Sequence, residues 1–175
     1  MSLVSPLYRA VFDGDCESID ALLAGRDVNL KTEGGDDWNL LHVALLSVSR
    51  PPSPEMVRHL IELGVDVRAR DRRRWTPLHF AARTKNPAVV KLLIEAGADV
   101  NATDDEGITP LHQGLLTYPV NLEMTEMLLA AGAKTGMLRK YVEVVASPVK
   151  GELLDLLAKY ESTYSGPASG GERGE

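Results

Sequence analysis

A short phrase recurs along the chain at a nearly constant interval, and this periodicity restricts the possible folds more than any other feature. Three copies align by eye and a worn fourth copy precedes them, at residues 5–10, 39–44, 76–81 and 109–114. The histidines within the phrase, His42, His79 and His112, are 37 and 33 residues apart. Periods of roughly 20–50 residues are typical of chains that stack one structural unit on the next. We therefore expect repeated units that bury their apolar faces against each other.

A second phrase lies between the copies of the first and combines apolar residues with a closing glycine. It occupies residues 22–29, 60–67, 93–101 and 128–133. Thr76 and Thr109 can cap a helix, and Pro77 and Pro110 stand at the first helical position, where a missing N–H costs nothing. Glycines such as Gly97 end the second helix because glycine accepts the left-handed conformation. Each unit is therefore predicted to be a pair of helices, and stacking supplies the missing half of each core.

The chain resembles the ankyrin-repeat family, whose repeat of about 33 residues opens with Thr-Pro-Leu-His-x-Ala. The positions that carry the signature are Thr76, Pro77, Leu78, His79, Thr109, Pro110, Leu111, His112 and His42. The resemblance implies an all-α solenoid with short β-hairpin or turn fingers, about four repeats and a degenerate C-terminal capping repeat. It also implies that the histidines bond locally and tie neighbouring repeats together. Each histidine belongs to a different repeat, so we expect no shared metal ion.

We predict a single ankyrin-repeat domain over residues 1–160 and a flexible tail over residues 161–175. The tail is rich in glycine and has almost nothing to bury. The expected repeats cover residues 4–36, 37–73, 74–106 and 107–134, and the cap covers residues 135–160.

The composition restricts the function further. The single cysteine, Cys16, excludes an intramolecular disulfide and a multi-cysteine zinc site. No apolar run approaches the roughly 18–20 residues that a membrane helix needs, and the N-terminus lacks the pattern of a signal peptide. We therefore expect a cytoplasmic protein that does not bind a membrane. The net charge of −6 argues against nucleic acid as the main partner. No phosphate loop, dinucleotide motif or nucleophile elbow appears. We therefore expect no enzyme activity, no catalytic residues, no cofactor and no small-molecule substrate.

The predicted fingers differ in charge. Their charged residues are Glu33, Asp36 and Asp37 in the first; Arg68, Arg70, Arg72, Arg73 and Arg74 in the second; and Asp104, Asp105 and Glu106 in the third. Either the arginines neutralise adjacent carboxylates on a solvated face, or the pattern selects a complementary partner. Arg74 stands where the third finger has Gly107. The second turn is therefore either rebuilt, or it holds an arginine with positive φ, which is uncommon.

Trp38 and Trp75 occupy matched positions before the phrase, and Phe80 lies within it. In the family these positions are near the finger base or on the concave side. Tryptophan dominates interface hot spots, but it can also pack locally under its own finger. We predict a partner-binding surface formed by Trp38, Trp75, Phe80, Asp36, Asp37, Arg72, Arg74, Asp105 and Glu106. The insertions around Arg50 and Tyr118, between the helices of a repeat, are the rival surface.

The resemblance predicts a non-catalytic module that binds another protein and is a monomer when free. A short acidic array fits an inhibitor that occludes its partner, such as a bacterial immunity protein against a toxic, often basic, enzyme. A general scaffold is the first alternative. The second is nucleic-acid binding through the arginine-rich finger beside Trp75, which offers a stacking surface. The acidic fingers on either side disfavour it, because they would repel phosphates.

Overall fold

The computed structural model describes residues 5–32, 35–46, 53–145 and 148–164. Within these ranges the chain forms ten helices and no strand. The helices are α1 (Pro6–Asp13), α2 (Cys16–Leu23), α3 (Leu40–Ala44), α4 (Pro54–Glu62), α5 (Pro77–Thr84), α6 (Pro87–Glu95), α7 (Pro110–Leu115), α8 (Leu122–Ala130), α9 (Gly136–Val144) and α10 (Lys150–Tyr164).

The helices begin at the capping signals that the sequence contains. Helices α4 to α7 each begin at a proline that follows a serine, asparagine or threonine. The Ser53 hydroxyl accepts the Met56 N–H at 3.1 Å, and the Thr109 hydroxyl accepts the His112 N–H at 3.3 Å. These bonds satisfy backbone donors that lack a partner in the first turn of a helix.

The helices form a two-layered stack. Consecutive helices pair within a repeat, from α1 with α2 to α9 with α10. The first helices of the repeats also stack on one another in the order α1, α3, α5, α7 and α9. Among the second helices, α4, α6, α8 and α10 stack in the same way. This arrangement is the all-α solenoid that the resemblance implies.

Buried leucines recur at matched positions of successive repeats. Leu41, Leu78 and Leu111 on the first helices, and Leu60 and Leu93 on the second, are at most 1% exposed. Burying one leucine side chain stabilises a fold by roughly 1.5–3 kcal/mol. Because each side chain is buried partly by the next repeat, no repeat completes its core alone.

Long connections join the second helix of one repeat to the first helix of the next. We call them fingers 1, 2 and 3. They comprise residues 24–39, of which 33–34 are not described, residues 63–76 and residues 96–109. Backbone hydrogen bonds close the turns of fingers 2 and 3, as between Asp71 N–H and Trp75 O at 2.9 Å. Neighbouring fingers are joined by Arg72 N–H to Asp36 O at 3.0 Å and by Asp105 N–H to Arg73 O at 3.3 Å. The three tips therefore lie side by side.

The capping pair, α9 and α10, departs from the repeat. Only residues 131–135 connect α8 to α9, which leaves no room for a fourth finger. Helix α10 continues to Tyr164, beyond the domain end expected at residue 160. The rest of the expected tail and the insertion around Arg50 lie outside the described residues. None of the described helices is both long and apolar enough to cross a membrane.

Shortening a core leucine should destabilise the stack. Leu93 is fully buried, so Leu93→Ala should lower the free energy of unfolding by about 2–5 kcal/mol. Lys91→Ala is the matched control, because its side chain on the same helix is 63% exposed. Chemical denaturation followed by circular dichroism measures both variants. A loss below about 1 kcal/mol for Leu93→Ala would mean that this face of α6 is not buried against its neighbours.

Candidate functional site

Three aromatic side chains, Trp38, Trp75 and Phe80, meet at the base of fingers 1 and 2, and we call them the aromatic cluster. The Phe80 ring lies 6.4 Å from the Trp38 ring and 5.4 Å from the Trp75 ring, edge-on to both. Edge-to-face pairs of this kind add about 0.5–1.5 kcal/mol beyond burial. The cluster therefore couples two consecutive repeats.

Phe80 is not on the surface, contrary to the sequence-based expectation. Only 5% of this residue is exposed, because the two indole rings and the His42 ring, 5.3 Å away, surround it. Trp38 and Trp75 are half-buried. A partner could therefore contact the tryptophans, whereas Phe80 supports them from below.

Each tryptophan also holds the next finger through its indole N–H. Trp38 Nε1 donates to Asp71 Oδ2 at 3.3 Å, and Trp75 Nε1 donates to Asp104 Oδ2 at 2.7 Å. The second oxygen of Asp71 accepts the backbone N–H groups of Arg73 and Trp75 at 2.9 and 2.8 Å. The tryptophans are therefore part of the framework as well as of the surface. The 33-residue spacing of Asp71 and Asp104 is the signal that could have identified this pair.

Asp104 belongs to the interior of finger 3 and not to its tip, where the charge pattern placed it. The residue is 9% exposed. Burial by itself would raise the pKa of its carboxyl group. Hydrogen bonds from Ile108 N–H, the Trp75 indole and Glu106 N–H outweigh this effect and lower the pKa below its ordinary value. Of the three acidic residues, only Asp105 and Glu106 are exposed.

Two histidines link the repeats in the way that the resemblance implies. Nε2 of His42 lies 3.0 Å from the Trp75 carbonyl oxygen, and Nε2 of His79 lies 3.1 Å from the Ile108 carbonyl oxygen. A carbonyl oxygen only accepts, so Nε2 carries the hydrogen. Nδ1 of His42 in turn accepts the Asn39 N–H at 3.2 Å. Both ring nitrogens are thus used within the framework.

His112 differs from the other two histidines. Its Nδ1 atom is buried and has no hydrogen-bond partner among the described residues. No finger follows repeat 4, so the next repeat also supplies no carbonyl oxygen of the kind that Nε2 of His42 and His79 bonds. The series of histidine links therefore stops where the fingers stop.

The arginines of finger 2 fall into two groups. Arg68 Nε donates to Gly97 O at 2.7 Å, and Arg70 Nη1 donates to Thr103 O at 2.7 Å. These two side chains fasten finger 2 to finger 3. Arg72, Arg73 and Arg74 are exposed, and no carboxylate of the described residues lies within ion-pair distance of them. Among the described residues, these three arginines therefore form no ion pair with the adjacent acidic fingers.

Arg74 adopts the positive φ that its position requires. Its φ is 64°, beside 76° for Gly107 at the matched place in finger 3. The turn is therefore not rebuilt, and the residue carries the conformational cost of a non-glycine in the left-handed region. Asp37 on finger 1 also has a positive φ, of 57°, and both side chains are exposed.

A groove of about 290 Å³ lies between fingers 1 and 2. The aromatic cluster and Leu46 line it, together with five charged side chains, Asp36, Asp71, Arg72, Arg73 and Arg83. Arg83, which the sequence did not single out, places its guanidinium 5.5 Å from the centre of the Trp75 ring. Asp37, Arg74, Asp105 and Glu106 are not among the lining residues. The structure thus brings together only part of the predicted surface.

The rival surface on the opposite edge also carries exposed apolar groups. Tyr118 and Leu116, between α7 and α8, are 80% and 61% exposed. The Lys85 ammonium group donates to the Tyr118 carbonyl oxygen and anchors this loop to repeat 3. Arg50, the other residue proposed for this edge, lies outside the described residues.

Comparison with known proteins agrees with the fold. The sequence model of a protein family described as ankyrin repeats (3 copies) matches residues 7–104 and 45–137. Protein phosphatase 1 regulatory subunit 27 of Mus musculus and that of Homo sapiens are each 37% identical to the chain over 68 residues. The match covers 39% of the chain and 42% of either relative. The chain thus spans about two fifths of the length of the curated relatives it matches.

The buried histidines should make stability depend on pH. Burial lowers the pKa of His42 to about 4, from an ordinary value of 6.5, and lowers the pKa of His79 as well. Between pH 6.5 and about pH 4, His42 is protonated in the unfolded chain but not in the folded one. The free energy of unfolding therefore falls as the pH falls. His42 alone should remove about 2 kcal/mol between pH 7 and pH 5.

Denaturant titrations at pH 7 and pH 5 measure this loss. His42→Gln should show a smaller difference between the two pH values than the parent chain, whatever its absolute stability. An equal difference in both proteins would contradict the assignment to His42.

Proposed function

Because the chain belongs to the ankyrin-repeat family, we propose that it is a non-catalytic module that binds another protein and regulates it by covering part of its surface. The observation that carries this proposal is the groove between fingers 1 and 2. It presents two half-buried tryptophans beside exposed arginines. Aromatic anchors within a charged rim are typical of specific protein interfaces.

The curated relatives support regulation rather than catalysis. The matched proteins are named regulatory subunits of a phosphatase. The finer proposal is an inhibitor or neutraliser, as for a bacterial immunity protein that blocks a toxic enzyme. The net charge of −6 would speed encounter with a basic enzyme at low salt.

Two groups of contacts count against nucleic acid as the partner. Arg68 and Arg70 already bind backbone carbonyl oxygens of the next repeat, so they offer fewer donors to phosphates. The Trp75 ring already stacks with the His79 ring at 6.0 Å and lies beside the Arg83 guanidinium. A base would have to displace these neighbours in order to stack.

The groove can be tested with a partner recovered from the native cell by affinity purification and identified. Trp75→Ala should weaken binding of the purified partner by roughly 2 kcal/mol or more, about thirtyfold, because it removes an anchor of the interface. Ile108→Ala is the matched control, since Ile108 has the same place at the base of finger 3 but does not line the groove. Calorimetric titration measures the affinities, and thermal unfolding verifies that each variant is folded.

Tyr118→Ala distinguishes the rival edge. We expect it to leave the affinity unchanged, because Tyr118 lies between α7 and α8 and away from the fingers. Loss of binding in Tyr118→Ala together with full binding in a folded Trp75→Ala protein would refute the groove as the interface.

A further inference from the structure

The charges that line the groove do not match the charge of the whole chain. The chain has a net charge of −6. The groove nevertheless holds three guanidinium groups, Arg72, Arg73 and Arg83, and two carboxylates, Asp36 and Asp71. It is therefore a basic site on an acidic protein.

One of the two carboxylates is already engaged by the framework. Asp71 accepts hydrogen bonds from the Trp38 indole and from the backbone N–H groups of Arg73 and Trp75. Asp36 contributes its backbone carbonyl to finger 2, since it accepts the Arg72 N–H at 3.0 Å. Within the part of the chain that the structure describes, neither carboxylate forms an ion pair with the three guanidinium groups.

The polar edges of both tryptophans are likewise committed. Each indole N–H points to an aspartate of the next finger, so the rings offer mainly apolar surface to the groove. Outward donors therefore come from the guanidinium groups. Gly35, on the tip of finger 1, leaves space for Arg72, whose Nη1 atom lies 3.3 Å from where a β-carbon would stand.

We propose that this groove receives an acidic side chain of the partner, so that a carboxylate meets Arg72, Arg73 and Arg83 while the adjoining apolar part packs on the tryptophans. This inference rests on the proposed function and adds the chemistry of the contact. A guanidinium fork matches the two oxygens of a carboxylate, and a charge-assisted bond of this kind is stronger than a neutral one. The volume of about 290 Å³ is at the lower end for small-ligand sites and suits one or two side chains.

Two electrostatic effects act at different distances. The negative charge of the whole chain acts at long range and favours encounter with a basic protein. The guanidinium groups of the groove act only at short range, once the two proteins touch, and select an acidic residue of that partner. A basic side chain would meet three guanidinium groups and two carboxylates, one of which the framework already engages.

Tryptophan fluorescence offers a direct test, because the chain contains only two tryptophans and both line the groove. The probes are three blocked peptides with identical length: Gly-Glu-Leu-Glu-Gly, Gly-Gln-Leu-Gln-Gly and Gly-Lys-Leu-Lys-Gly. The Glu peptide should change the emission in a saturable way, with a dissociation constant at least tenfold below that of the Gln peptide. Raising the salt concentration should weaken its binding. The Lys peptide should produce no saturable change.

Variants assign the effect to the groove. Arg73→Gln and Arg83→Gln should each weaken binding of the Glu peptide at least fivefold. Arg58→Gln is the matched control, because Arg58 is exposed on α4 outside the groove, and it should leave the affinity unchanged. Equal binding of the Glu and Gln peptides, tighter binding of the Lys peptide, or no saturable change with any peptide would each overturn the inference.

The two proposals can fail separately. If the purified partner binds in a Trp75-dependent way but the Glu peptide shows no preference, the acidic-residue inference fails and the proposed function stands. If the Glu peptide binds as described but Trp75→Ala leaves the partner's affinity unchanged, the groove chemistry stands and the proposed interface fails.

Discussion

The structure depends on hydrogen bonds that repeats 2 and 3 each make to the finger that follows. The ring N–H groups of Trp38 and His42 both reach finger 2, at Asp71 and at the Trp75 carbonyl oxygen. One repeat later, Trp75 and His79 reach finger 3 in the same way. Such bonds lie partly out of water, where an unpaired group would cost about 1–3 kcal/mol. They fix the fingers as one surface, and the series ends with the last finger.

This framework explains why the candidate site is formed before any partner arrives. The tryptophans that line the groove also fasten the fingers, so their rings are already oriented by Asp71 and Asp104. A preformed anchor loses less conformational freedom on binding than a mobile side chain does. The same residues therefore serve stability and recognition, and the exposed Arg72 and Arg73 add the charge that distinguishes this groove from the rest of an acidic chain.

The fold could be predicted from the sequence because its signals are local and periodic. Pro77 and Pro110 each begin a helix, as their local sequence indicates. Leu78 and Leu111 take the same buried position in successive repeats. The site could be predicted only in part, because it depends on contacts between residues about 30 positions apart. Nothing local indicates that Phe80 is covered by two tryptophans from different repeats.

The arginine-rich segment illustrates the same limit. In the sequence its five arginines look equivalent, but Arg68 and Arg70 meet carbonyl groups of finger 3 and become structural. Arg83 joins the groove from α5, eight residues after Trp75, where no repeat signature marks it. Geometry between repeats, and not residue type, decides which charges are available to a partner.

The most direct test of the account is hydrogen–deuterium exchange of the full chain with and without its purified partner. A bound partner should cover the surface formed by the fingers. We predict slower exchange on binding in residues 35–40 and 71–76, with no change in residues 116–121 between α7 and α8. Slower exchange confined to residues 116–121, with the fingers exchanging as in the free chain, would contradict the account.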